Sequence, residues 1–289
     1  MSFDSLGLSA ELLRSIKDQG YTQATSIQEK AIPAALQGKD LMASAQTGTG
    51  KTAAFTLPML QKIAAQAGGG RRHIKALVLA PTRELAAQVE DSVRTYGRHL
   101  KLRSLSVCGG VGIGPQIRQM NSGVDILVAT PGRLMDHMER GTVDLSGVET
   151  LILDEADRML DMGFLPAIEK IVKTLPRSRQ TLLFSATFSA PIQKLAHKFM
   201  NNPEMIETAA RNSAGEQIDQ SAYMVDSNRK RELLTHLIGT QNWGQVLVFT
   251  RTKRGADQLA KQLEQDGIAS TAIHGDKSQG ARTKALKQF

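Results

Sequence analysis

Six short apolar runs alternate with segments of helical periodicity across a 289-residue chain. They are DLMASA at 40–45, IKALVLA at 74–80, LRSLSVC at 102–108, DILVA at 125–129, VETLILD at 148–154 and QTLLFSA at 180–186. Parallel strands need crossover helices, which cover the sheet on both faces, so such strands read as near-continuous apolar runs. Between two of the runs, Leu85, Val89, Val93 and Tyr96 fall on one stripe of a helix. The pattern predicts an α/β domain with a parallel sheet, whose ligands bind beyond the C-terminal strand ends. Residues 9–19 and 26–37 read as two short helices ahead of it, separated by Gly20-Tyr21.

The small, polar stretch TAARNSAGEQ at 208–217 predicts an interdomain linker. A second alternation follows it: helix 229–238, strand QVLVFT at 245–250, helix 255–265, strand IASTAIHG at 268–275, then a helix from Gln279. That last helix reaches Phe289 with no Gly or Asn cap and an apolar face open at Ala285, Leu286 and Phe289. The second domain is therefore expected to be incomplete. The GGG at 68–70 reads as a loop.

Cysteine usage and charge narrow the class. One cysteine, Cys108, allows no internal disulfide, and six scattered histidines show no zinc spacing. Asp4 stands where a signal peptide would be basic, and no apolar run approaches the ~18 residues that span a bilayer. A cytoplasmic setting without membrane partners is expected. The +8 net charge invites a polyanion, while an aromatic content of 4% is poor material for base stacking. A nucleic acid would be held by its backbone.

The run at 40–45 leads into AQTGTGKT at 45–52 and then a helical stretch, the context of a phosphate-binding loop. Gly48 and Gly50 let backbone N–H groups approach phosphate oxygens, Lys51 supplies positive charge, Thr52 offers a hydroxyl to Mg²⁺, and the helix N-terminus adds its dipole. Ala45 stands where the general pattern has glycine. The run at 149–157, ETLILDEAD, ends in carboxylates at a strand's C-terminal end. There Asp154 suits Mg²⁺ and Glu155 suits the attacking water.

The literal D-E-A-D at 154–157 resembles the DEAD-box ATP-dependent RNA helicases, and the family's other motifs occur in the family's order. These are GYTQATSIQ at 20–28 with Phe3 ahead of it, PTRELA at 81–86, GG at 109–110, TPGR at 130–133 and SAT at 185–187. The opening MSFDSLGL is similar to the bacterial RhlE-like subgroup. The resemblance implies a RecA-like P-loop domain at 30–207 after a Q-motif region at 1–29, and a partial second RecA-like domain at 218–289.

It further implies ATP and Mg²⁺ as ligands. Gln28 would read adenine with Tyr21 stacking on it and Phe3 in support, and Ala45, Gln46, Thr47, Gly48, Thr49, Gly50, Lys51 and Thr52 would form the phosphate loop. The family usually has Phe at position 21 and Pro at 24, where this chain has Tyr21 and Ala24. Lys51, Asp154 and Glu155 would be catalytic, with Thr52 and Asp154 on Mg²⁺, while Asp157, Ser185 and Thr187 would couple hydrolysis to strand separation through hydrogen bonds between the two motifs. RNA would meet Pro81, Thr82, Arg83, Gly109, Gly110, Thr130, Gly132 and Arg133, then Arg251 and Gly275 in the second domain, where Arg282 joins them. Helix N-termini and glycine backbones suit RNA phosphates.

The expected activity is RNA-dependent ATP hydrolysis coupled to local duplex unwinding or RNP remodelling, with ribosome-assembly or RNA-decay proteins as partners. One alternative is a nucleotide- and RNA-binding fragment without efficient turnover, because the 289 residues contain neither the family's ARG-[IL]-D motif nor its HR-x-GR-x-GR motif. Another is a DNA translocase, against which Gln28 and TPGR argue.

Overall fold

The structure, a computed structural model, describes residues 1–45, 48–66, 72–208 and 219–289. Gln46, Thr47, the expected loop at 68–70 and the expected linker beyond Thr208 lie outside the described residues. The chain divides into two compact units, Met1–Ser213 and Ala214–Phe289.

In the first unit the strands are β1 (Leu41–Ser44), β2 (Ala76–Leu79), β3 (Ser104–Val107), β4 (Ile126–Ala129), β5 (Thr150–Leu153), β6 (Gln180–Ser185) and β7 (Glu204–Glu207). They form one sheet in the order β3-β4-β2-β5-β6-β1-β7, and every neighbouring pair is parallel. Helices α1 (Ala10–Asp18) and α2 (Ser26–Leu36) precede it. The crossovers are α3 (Lys51–Ala65), α4 (Arg83–Tyr96), α5 (Ile113–Asn121), α6 (Pro131–Glu139), α7 (Ala156–Asp161), α8 (Leu165–Thr174) and α9 (Ala190–Phe199).

The alternation of side chains along each strand explains the unbroken apolar runs. Leu41, Ala43, Val78, Val128, Ile152, Leu182 and Phe184 point into one core with residues of α1, α2, α3 and α4. Met42, Leu77, Leu79, Leu127, Leu151, Leu153 and Leu183 point into a second core under α5, α6, α7, α8 and α9. Edge strand β7 buries only Ile206, so its sequence EMIE carries no apolar run to predict it. At the opposite end from the motif loops, Asp40 accepts from the backbone N–H of Thr181 and of Asn201, both at 2.7 Å. This ties the start of β1 to β6 and to the approach to β7.

The second unit contains α10 (Lys230–Thr240), α11 (Lys253–Gln265) and α12 (Gln279–Gln288). The strands expected at 245–250 and 268–275 are not formed: among the described residues this unit has no strand. A strand is defined by its ladder, and here neither segment has a paired neighbour. Leu247 and Phe249 are accordingly 61% and 88% exposed. The unit is pinned by ion pairs of Lys253 with Asp276 and of Lys277 with Asp257, each at 2.7 Å.

The rings of Phe55 on α3 and Phe184 on β6 meet at 5.2 Å between centroids, both fully buried. Truncation of Phe184 to Ala is expected to lower stability by about 3–5 kcal/mol in urea denaturation. A loss below about 1 kcal/mol would show that the sheet face is not packed as described.

Candidate functional site

Parallel strands send all their C-terminal loops to one edge of the sheet, and the strand order sorts those loops into two halves. The ends of β1, β6 and β5 are neighbours and carry the phosphate loop, SAT and DEAD; the ends of β2, β4 and β3 carry PTR, TPGR and GG.

After β1, Ala45 is fully buried and donates its N–H to the Ser185 carbonyl at 3.3 Å. Gly48 and Gly50 have φ of 84° and 89°, the left-handed region in which glycine is unstrained. Gly50 caps α3, so Lys51 and Thr52 form its first turn, and Lys51 is buried. Gln28 reaches the same loop. It accepts from the N–H of Thr25, the N-cap of α2, at 2.9 Å as its half of a capping box, and donates to the Gly50 carbonyl at 3.1 Å. A Cβ on Gly50 would stand 2.4 Å from Gln28 Nε2. Residues 20–28 are thus both a capped helix start and a brace for the phosphate loop.

Phe3 is buried in the core with Ile27 and Leu12. The N-terminal segment is tied to residues 23–29 by the Ser2–Gln23 bridge, by the Ala24 N–H to the Met1 carbonyl at 2.9 Å, and by the N-terminal amine on Glu29. Phe3 therefore supports the loop from below. Tyr21 is 56% exposed and its ring is accessible.

After β5, Asp154 is only 3% exposed. Burial pushes its carboxyl up to about 7, against the pull of the Lys51 charge. Glu155 adopts φ 51° and ψ 53°, a left-handed conformation that costs a non-glycine residue about 1–2 kcal/mol, and it opens α7. Arg158, one turn on, donates to Glu155 Oε2 at 3.2 Å.

The expected contact between SAT and the acidic motif is made differently. Asp157 Oδ2 accepts from the backbone N–H of Ala186 at 3.0 Å, while Ser185 Oγ accepts from the Thr187 N–H at 3.3 Å. The Ser185 hydroxyl is turned into its own loop, so the backbone of Ala186 supplies the link. Ser44, at the end of β1, donates to the Ala186 carbonyl at 3.2 Å. The two peptide groups that flank the Ala186 Cα thus join the phosphate-loop strand to α7.

In the other half, Thr82 caps α4 by accepting from the Leu85 N–H at 3.2 Å, with Pro81 just ahead. Thr130 is buried and caps α6, which Pro131 opens. The Arg83 guanidinium lies against the GG backbone, and a Cβ on Gly110, at φ 76°, would stand 1.7 Å from its Nη1. Arg133 donates to the Val111 carbonyl at 3.0 Å and pairs with Asp136 at 3.7 Å. Both arginines therefore brace the GG turn. Gly132 has open space at its Cβ position. Between GG and the sheet, Cys108 is half-buried, and burial pushes its thiol up. Arg251, Gly275 and Arg282 belong to the second unit; Arg251 and Gly275 are exposed there, and Arg282 Nη1 lies 3.5 Å from Gln279 Oε1.

The model of the DEAD/DEAH box helicase family matches residues 25–195, more than half of the chain. The chain belongs to that family. The helicase conserved C-terminal domain matches residues 229–289. The DEAD-box ATP-dependent RNA helicase CshA of Bacillus cereus is 44% identical over 288 residues, which is 100% of this chain and 54% of the relative. CshA of Bacillus subtilis is 43% identical over 289 residues, 100% of this chain and 58% of the relative. The chain thus spans about half the length of the curated relatives it matches. The crystal structure of a DEAD box protein from the hyperthermophile Methanococcus jannaschii superposes with a TM-score of 0.69 at 38% identity, covering 99% of this chain and 76% of that one. These relatives carry the name CshA, and the expected RhlE-like subgroup finds no support among them.

In this DEAD-box chain the groups that sequence reasoning missed are connectors. Arg158 was visible in principle as an i,i+3 partner of Glu155. Ser44 was the one polar residue in an otherwise apolar strand. The Ala186 peptide gave no signal, because its part is played by backbone. Gly110→Ala is expected to lower stability by about 1–2 kcal/mol in urea denaturation, since it forces Arg83 away and a Cβ into the left-handed region. Gly132→Ala should lose nothing. Equal stabilities for the two variants would contradict the left-handed backbone at Gly110.

Proposed function

We propose that this chain carries the ATP-hydrolysing core of an RNA-dependent helicase, coupling hydrolysis to local duplex unwinding or RNP remodelling in the cytoplasm. The observation that carries this reading is the division of a single sheet edge into a phosphate-loop half, tied together by the Asp157–Ala186 hydrogen bond, and a PTR–TPGR–GG half. In this reading residues 1–29 form the adenine-reading region, 30–207 the ATP-binding domain and 218–289 part of the second helicase domain.

The donor set fits Mg²⁺. Asp154 is a desolvated carboxylate whose ionised form calls for cationic charge beyond that of Lys51, and Thr52 offers a hydroxyl at the helix start. Few protein ligands suit a cation that keeps its waters and takes substrate phosphates. Mg²⁺ would draw charge from the β- and γ-phosphate oxygens when bound. The backbone N–H groups at Gly48–Gly50 and the α3 N-terminus hold the phosphates, and the Lys51 ammonium meets the terminal ones. Glu155 accepts a proton from the attacking water, its direction fixed by its left-handed backbone and by Arg158. Gln28 senses the phosphate loop through the Gly50 carbonyl, its second Nε2–H and the remaining Oε1 lone pair would serve adenine, and Tyr21 would stack on the base.

The RNA half holds one strand by phosphates and 2′-hydroxyls, with little sequence preference. Helix N-termini at Thr82 and Thr130 and the Gly109-Gly110 backbone make those contacts, and Arg83 and Arg133 add charge beside them. Arg251 and Gly275, exposed on the second unit, are that unit's RNA contacts in this reading. Protein partners in ribosome assembly or RNA decay are part of this proposal, carried over from the motif resemblance.

A second reading is nucleotide and RNA binding without efficient turnover by these 289 residues, which contain neither the ARG-[IL]-D nor the HR-x-GR-x-GR motif. An arginine finger is worth about 10³–10⁵ in rate. An RNA-stimulated ATPase assay on the 289-residue chain separates the two, robust stimulation supporting the first. In that assay or a longer protein, Lys51→Ala should abolish nucleotide binding or hydrolysis, whereas Glu155→Gln should bind ATP and stall. Wild-type hydrolysis by Glu155→Gln would overturn the role given to that carboxylate.

A further inference from the structure

His137, on α6 one turn beyond Arg133, is fully buried and takes no part in the chemistry above. Its Nε2 lies 3.0 Å from Gln116 Oε1, and its Nδ1 lies 2.8 Å from Thr142 Oγ1. Gln116, buried on α5, donates through Nε2 to the Cys108 carbonyl at 3.0 Å. Cys108 is the residue before Gly109-Gly110.

The chemistry of the last acceptor fixes the directions at Gln116 and at His137 Nε2. A carbonyl only accepts, so Gln116 turns its amide N–H to Cys108 and its oxygen to His137. His137 must then carry a proton on Nε2, and in the neutral ring Nδ1 competes with the His137 carbonyl, 3.1 Å from Thr142 Oγ1, for the single hydroxyl proton. The neutral imidazole is favoured by burial first and by the neighbouring Arg133 charge second.

The network joins the helix opened by TPGR, the helix that follows GG, and the end of β3. With Arg133 on the Val111 carbonyl and Arg83 against Gly109-Gly110, the turn is held on three sides. An apolar filling would occupy the same volume without desolvating these polar groups, but it would not set direction or height.

We propose that His137 and Gln116 are positioning residues for the RNA half of the edge, setting the Gly109-Gly110 turn level with PTR and TPGR so that all three meet one strand. This rests on the RNA-binding reading given above. The test uses the whole 289-residue chain with a fluorescein-labelled oligouridylate, a non-hydrolysable ATP analogue and Mg²⁺, reading RNA affinity by anisotropy and ATP affinity with a fluorescent nucleotide. His137→Asn keeps an amide near the Nδ1 position and loses Gln116, while His137→Gln restores an N–H near the Nε2 position.

The Asn variant is expected to weaken RNA binding about three- to tenfold, the worth of one buried hydrogen bond, with ATP affinity unchanged and faster amide exchange at residues 109–111. The Gln variant should recover RNA affinity. If wild type binds RNA and the Asn variant binds it equally well, the inference fails while the functional reading stands. Parallel loss of RNA and ATP affinity would mark a merely structural network and also overturn it. Absence of RNA binding by wild type would overturn both.

Discussion

The parallel pairing of β6 with β1 on one side and with β5 on the other is the constraint on which the site depends. Ser44 stands level with Ser185, and Leu153 with Leu183. The phosphate loop, the SAT turn and the carboxylates therefore leave the sheet side by side, although about a hundred residues separate the first from the third in sequence. Asp40 secures this pairing from the far end by taking the Thr181 and Asn201 N–H groups. A slip of one residue would exchange the two faces of each strand and turn Phe184 out of its core.

The edge is held stiffly at backbone level. Gly50 and Gly110 both hold the left-handed backbone that favours glycine, and at Gly50 a Cβ would also meet the Gln28 amide. Glu155 bears left-handed strain to start α7 directly after a buried strand. The backbone of Ala186, its carbonyl held by Ser44 and its N–H by Asp157, bridges the two sides of the nucleotide half. Events at the phosphate loop thus have a short hydrogen-bonded route to the acidic helix.

Much of this was legible in the sequence because burial on both faces leaves unbroken apolar runs: each of the first six strands falls within a run read from the residues. β7 escaped, since an edge strand with one buried residue has no such run. The segments at 245–250 and 268–275 read as strands for the same reason, yet their pattern reports only a preference for burial, and the ladder that makes a strand comes from neighbours. The loops could be read as chemistry but not as connections. Gln28, Lys51 and Asp154 were candidates from residue type and place, whereas the use of Arg83 and Arg133 as braces, the Ala186 link and the His137–Gln116 chain depend on side-chain direction, which no spacing encodes.

The central claim is that one sheet edge serves two ligands through two adjacent sets of loops. Amide hydrogen exchange of the 289-residue chain, measured with an ATP analogue and Mg²⁺ alone and then with single-stranded RNA added, tests it most directly. Nucleotide should slow exchange after β1, β5 and β6, and RNA should add protection after β2, β3 and β4. RNA protection confined to the loops after β1, β5 and β6, or nucleotide protection after β2, β3 and β4 with none at Gly48–Gly50, would contradict the account.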